Sequence, residues 1–155
     1  RELQAKVFSD MLRLAEKLTL PVIVHSRWSG PKIVEILSSY DLNAVLWHWF
    51  SGPVDMLPKI VERGDYVSEG PSAVISSRIQ EIVRLVPLEN LLTETDGPVR
   101  FYGPFKDRLT SPVFIPEVVK AVAETKEIKK SDVAEQIFRN FVNLFKIAVK
   151  SCESD

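Results

Sequence analysis

The sequence predicts an α/β fold on a parallel sheet, of the kind that closes into a barrel, and three observations carry that reading. Short apolar, β-branched runs alternate with helical patterns along the 155 residues. Three of the runs end on metal-type donors: Pro21-Val22-Ile23-Val24-His25, Ala44-Val45-Leu46-Trp47-His48, and Asn90-Leu91-Leu92-Thr93-Glu94-Thr95-Asp96. His25 and His48 are the only histidines of the chain. Ligands delivered from the C-terminal ends of parallel strands meet at one mouth, which is how an α/β barrel builds a site.

The elements follow in order. Leu3, Val7, Phe8, Met11, Leu12, Leu14, Ala15 and Leu18 recur at helical spacing, predicting an amphipathic helix over residues 2–18 that Pro21 stops. Residues 22–24 read as a buried strand. Pro31 sits where helices begin, and Ile33, Val34, Ile36 and Leu37 carry the next helix. A strand over 44–48 precedes the Gly52-Pro53 turn and a helix to about residue 62, which Gly64 closes. A short strand over 65–68 leads into Gly70-Pro71, then a helix carries Ile79, Ile82, Val83 and Val86. The strand over 91–96 follows, then a loop over 97–112 with no regular period. Helices over 115–126 and 131–149 finish the chain, with Ser131 the expected N-cap of the second. One helix followed by four strand–helix units implies parallel strands joined by right-handed crossovers. Four strands cannot close a barrel that needs eight.

Composition narrows the function classes. With 45% hydrophobic residues the chain can bury a core, and no linker or repeat divides it. Twenty basic and 21 acidic residues leave a net charge of −1, so attraction to nucleic acid must come from a local patch. Cys152 is the single cysteine, which excludes internal disulfides and points to a reducing compartment; a cytoplasmic location is expected. No apolar run reaches the length of a membrane span, and there is no signal peptide. The chain starts at Arg1 inside a helical pattern, which reads as a truncation.

His25, His48 and Asp96, spaced by 23 and 48 positions, form the candidate metal site. Imidazole with carboxylate suits Zn, Mn, Fe or Ni better than Mg. The competing reading makes both histidines ordinary strand-end residues bonded to backbone. Glu94 and Asp96 differ by two and are expected on one side of their strand, Glu94 in an interior ion pair rather than in catalysis. Arg27 reads equally as a bidentate phosphate grip or as a surface salt bridge. Glu69 reads equally as a site carboxylate or as a solvated loop residue. Trp47 and Trp49 are expected to share the face opposite His48 and pack against helices. Arg100, Phe101, Tyr102, Phe105, Lys106 and Arg108 interleave charge with aromatics, as base-stacking surfaces do. An ordinary exposed loop is the preferred reading.

Together these residues resemble the TatD family of metal-dependent hydrolases, in the amidohydrolase-like barrel group. The resemblance rests on Pro21-Val22-Ile23-Val24-His25-Ser26-Arg27, on His48-Trp49-Phe50-Ser51-Gly52, on Leu91-Leu92-Thr93-Glu94-Thr95-Asp96-Gly97-Pro98, and on Asn140-Phe141-Val142-Asn143-Leu144-Phe145. It implies a TIM-type (β/α)8 barrel, of which residues 1–155 supply roughly the last four β/α units as the C-terminal part of one hydrolase domain. It also implies two divalent metal ions (Mg, Mn or Zn) and phosphodiesterase activity on DNA. His25 and His48 would then bind one metal, and Asp96 the other while accepting the proton of the attacking water. Arg27 and Arg100 would contact substrate.

The family's His-x-His pair and its metal-bridging Glu are absent from these residues, so the lone chain is expected to be a weak or inactive nuclease. It is also expected to associate with a missing N-terminal half or with itself. Trp28 stands where the family has an acidic or small residue, Trp49 where Cys is common, and Thr110-Ser111-Pro112 where Asn-Glu-Pro is frequent. Two other readings compete: an amidohydrolase-group enzyme acting on a small amide, lactone or phosphoester, and a non-catalytic half-barrel binding module.

Overall fold

A computed structural model describes residues 2–148. Cys152 and the Val149 end of the last expected helix lie outside the described residues. Helix α1 (Glu2–Leu18) leads into strand β1 (Val22–His25) and α2 (Gly30–Leu37). Strand β2 (Val45–His48) is followed by a single 3-10 turn and α3 (Leu57–Glu62). Strand β3 (Tyr66–Glu69) leads to α4 (Ser72–Ile75) and α5 (Ser77–Leu85). Strand β4 (Leu91–Thr93), a long loop, α6 (Ile115–Lys126) and α7 (Lys130–Phe145) complete the described chain.

The four strands form one sheet in the order β1-β2-β3-β4, and every pairing is parallel, as the alternation requires. Register sets the faces. Val24, Trp47, Val67 and Leu91 point to one side and pack into the main core with Leu37, Ile60, Ile82 and Val122. Ile23, Leu46, Tyr66 and Leu92 point to the other, where Ile23 is 57% exposed. Trp47 is fully buried and its indole donates to Asp65 Oδ2 at 3.1 Å, satisfying a polar atom that burial would otherwise strand. Desolvation raises the Asp65 carboxyl above its ordinary range, although Trp47 and Arg63 oppose it.

Three sequence expectations are corrected. Strand β4 stops at Thr93, short of residue 96, because Asp96 takes a left-handed backbone (φ 47°) that no strand can continue. Ser131 does not cap the last helix, which begins one residue earlier with Lys129 at the cap; the Ser131 hydroxyl donates to Asp132 instead. Ser76 performs that role for α5, accepting from the Ile79 amide at 3.4 Å. The loop over residues 97–112 is not simply exposed. Phe101, Phe105 and Phe114 build a second, smaller core in which Phe105 and Phe114 stack at 4.7 Å, with the Arg108 guanidinium 4.5 Å over Phe114. Phe101 and Phe105 are thus spent on packing, whereas Tyr102 stays exposed.

Candidate metal centre

His25 and His48 are direct register partners at the ends of β1 and β2, so both project from the same face of the sheet. Their rings lie 5.7 Å apart, centroid to centroid, at one mouth. His48 Nδ1 lies 2.5 Å from Glu94 Oε2, and the same oxygen accepts the Ser68 hydroxyl at 2.5 Å. Ser68 stands across from His48 on β3, which explains how it reaches the pair. Glu94 lies just past β4, its amide still bonded to the Glu69 carbonyl at 3.0 Å. With Nδ1 engaged, His48 Nε2 faces outward and lies 3.6 Å from Asp96 Oδ1. The left-handed turn at Asp96 aims that carboxylate back across the mouth. Glu94 and Asp96 therefore meet His48 from two sides.

This arrangement suits a divalent ion in donor type and in one approach. Two ligands of one ion sit about 3.0–3.4 Å apart when each is about 2.1 Å from it, close to the His48–Asp96 separation. A carboxylate on Nδ1 that leaves Nε2 for a metal is a recurrent second layer of support. Among the described residues, no three His, Cys, Asp or Glu side chains converge tightly enough to enclose an ion. The donors fit as part of a coordination shell rather than a closed one.

Glu69 is fully buried at the end of β3, against the solvated reading. Among the described residues neither of its oxygens has a hydrogen-bond partner, and Glu94 Oε1 has none either. Desolvation, reinforced by the charge of Glu94, holds the Glu69 carboxyl well above its ordinary range. Trp49 also departs from expectation. It sits past the strand end at φ 41° and packs on Phe101 at 5.4 Å instead of joining the helix-facing core.

Beside the metal-type donors runs a groove of about 730 Å³, bounded by the loops after β1, β2 and β3. His25 lines its inner end and Arg27 its wall, whereas Arg100 lines no part of it and lies exposed in the loop beyond Asp96. Sequence reading missed Ser68 and Arg78. Ser68 was accessible by alternation, two residues after Tyr66 and in register with His48. Arg78 lies 27 positions from Ser51, the residue it grips, and no local pattern signals that contact.

Parallel β/α units carrying imidazole and carboxylate donors at one mouth are the architecture of barrel enzymes. The chain belongs to the family of TatD-related DNases, whose model matches residues 1–146. It is 31% identical over 143 residues to MJ1582 of Methanocaldococcus jannaschii, named an uncharacterized metal-dependent hydrolase; the match covers 92% of this chain and 56% of that protein. It is 32% identical over 145 residues to human TATDN3, named a deoxyribonuclease, covering 94% of this chain and 52% of that one. The crystal structure of the TatD homologue YJJV from Escherichia coli K12 superposes with a TM-score of 0.87 at 26% identity, covering 95% of this chain and 58% of YJJV. The chain thus spans about half the length of the curated relatives it matches. Among the described residues, no helix is long and apolar enough to cross a membrane.

Proposed function

We propose that the chain is the C-terminal part of a (β/α)8 barrel that hydrolyses phosphodiester bonds in DNA with divalent metal, and that His25, His48 and Asp96 are its share of the ligands. The observation that carries this reading is the His48 relay. Glu94, itself bonded by the Ser68 hydroxyl, fixes the ring through Nδ1, and Nε2 lies 3.6 Å from Asp96 Oδ1. A bound ion would supply Lewis-acid stabilisation of the phosphoryl oxygens and an acidified water. The chain's own residues would hold and orient: His25 and His48 as neutral nitrogen donors, Asp96 as ligand and proton acceptor, Glu94 as the group that aims His48. Arg27, at the wall of the groove, and Arg100 are proposed to contact substrate phosphates.

Support for the half-barrel reading comes from the four parallel strands and from the share of the relatives' length that the chain spans. The deoxyribonuclease names of human TATDN3 and of fission yeast Tat-D favour DNA. Because the donor shell is not closed, the chain alone is expected to cleave slowly.

The test is incubation with DNA and added Mn²⁺ or Mg²⁺. Cleavage, however slow, that a chelator stops and that Asp96→Asn lowers at least about 100-fold supports the reading. Cleavage indifferent to Asp96→Asn and His48→Ala contradicts it, and so does a complete absence of metal-dependent cleavage once the remaining barrel units are supplied.

A further inference from the structure

Beside the mouth lies a pair of carboxyls whose free oxygens the metal-type donors leave unused. Glu69, at the end of β3, is fully buried, and the Glu94 side chain is only 14% exposed. The two residues are neighbours because the Glu94 amide donates to the Glu69 carbonyl at 3.0 Å. Gly70 lets Glu94 lie close: a Cβ added there would sit 3.3 Å from the Glu94 main-chain oxygen and 3.6 Å from its Cγ. Any side chain at that position would crowd it.

The oxygens of the pair divide into two groups. Glu94 Oε2 is engaged twice, by His48 Nδ1 and by the Ser68 hydroxyl. Glu94 Oε1 and both carboxyl oxygens of Glu69 are buried and have no hydrogen-bond partner among the described residues. Among those residues, His48 is the one basic group in salt-bridge reach of either carboxyl. Buried polar atoms are nearly always satisfied, and a buried charge needs a partner of opposite sign. Three orphaned carboxyl oxygens on adjoining strand ends therefore define a place for a cation.

We propose that Glu69 and Glu94 Oε1 form an inner seat for a calcium ion, distinct from the site assigned to His25, His48 and Asp96. Its donors are oxygen alone, which favours a hard cation over zinc. Burial favours calcium over magnesium, because magnesium sheds its waters reluctantly and demands a regular octahedron. Calcium accepts an irregular shell, and its double charge balances two ionised carboxylates. An ion so placed holds Glu94 still and, through Oε2, steadies the His48 ring. This inference goes beyond the nuclease reading and does not depend on cleavage.

Its test measures calcium binding directly. The protein, stripped with chelator and dialysed, is titrated with calcium chloride in a calorimeter near neutral pH. Binding is expected to release about one proton, because the ion displaces the proton that burial holds on Glu69. Repeating the titration in two buffers of different ionisation heat reads that release. Glu69→Gln keeps the size of the side chain and removes its charge; it should weaken binding at least about tenfold and abolish the proton release. Asp96→Asn, at the mouth, should leave calcium affinity unchanged. A matching thermal melt in chelator verifies that Glu69→Gln keeps the fold, and the proton count on the unaltered protein needs no variant. No calcium binding, binding without proton release, equal affinity in Glu69→Gln, or affinity lost in Asp96→Asn overturns the proposal. Calcium binding that depends on Glu69 in a protein without nuclease activity leaves this proposal standing and sinks the nuclease reading.

Discussion

His48 is held from both ends, and the chemistry proposed for the mouth turns on which nitrogen each neighbour takes. A carboxylate against Nδ1 favours the tautomer with its proton there, which would leave Nε2 as the nitrogen for a metal. Glu94→Ala is therefore predicted to shift His48 towards the Nε2–H tautomer, read from its ring nitrogens by NMR. Divalent-metal affinity should fall about 10–100-fold. Unchanged tautomer and affinity would remove Glu94 from the account.

Glu69 supports a second prediction at this scale. Its folded carboxyl is raised well above the ordinary 4.5 by burial and by the charge of Glu94, so the folded state binds a proton that the unfolded state releases. Stability from this group is fully present below the unfolded value and is lost as pH rises through the folded one. Glu69→Gln should flatten that decline, making the variant more stable than the parent at pH 8 and no more stable at pH 4, by thermal melts in chelator. An unaltered pH dependence would show that Glu69 carries no trapped proton. The side-by-side placement of His25 and His48 at neighbouring strand ends was legible because strand parity and C-terminal position are local properties; the approach of Asp96 was not, because it depends on the turn beyond β4. The burial of Glu69 was not, because it depends on how the segment after β3 folds over the strand end.

At the scale of elements, helices were read better than the ends of strands. The apolar spacing over Glu2–Leu18 and Ile115–Lys126 fixes both helices to the residue. Strand β4 reads longer than it is, because Thr93-Glu94-Thr95 has strand character while the turn that ends it lies in the backbone of Asp96. The short helix α4 left no readable signal. Gly97 keeps that turn in place: a Cβ there would sit 2.7 Å from the Thr110 carbonyl oxygen, backbone that cannot swing aside. The Thr110 side chain in turn donates to the Val99 carbonyl at 2.7 Å. Gly97→Ala is predicted to displace Asp96, costing about 1–3 kcal/mol and a measurable share of metal affinity. A variant with parental melting temperature and parental metal binding would contradict this.

For the whole molecule, the question is what covers the apolar surface that the four units leave open. Leu3, Val7, Met11, Leu14 and Leu18 are each about half exposed or more on α1, and Ile23 is exposed on the open face of the sheet beside the unpaired edge of β1. Such edges and stripes are normally buried by further units. The chain by itself is predicted to associate, and replacing Met11 and Leu14 by glutamate should reduce that association. Light scattering giving 17.6 kDa, with one cooperative unfolding transition, would contradict it.

The central claim is that the strand ends carry a metal site, and titration with cobalt(II) followed by its visible absorption tests it most directly. The account predicts a bound-ion spectrum that weakens at least about 100-fold in affinity with His48→Ala or Asp96→Asn. Binding unchanged in those variants, or no bound-ion spectrum in the barrel-complete protein, would contradict it.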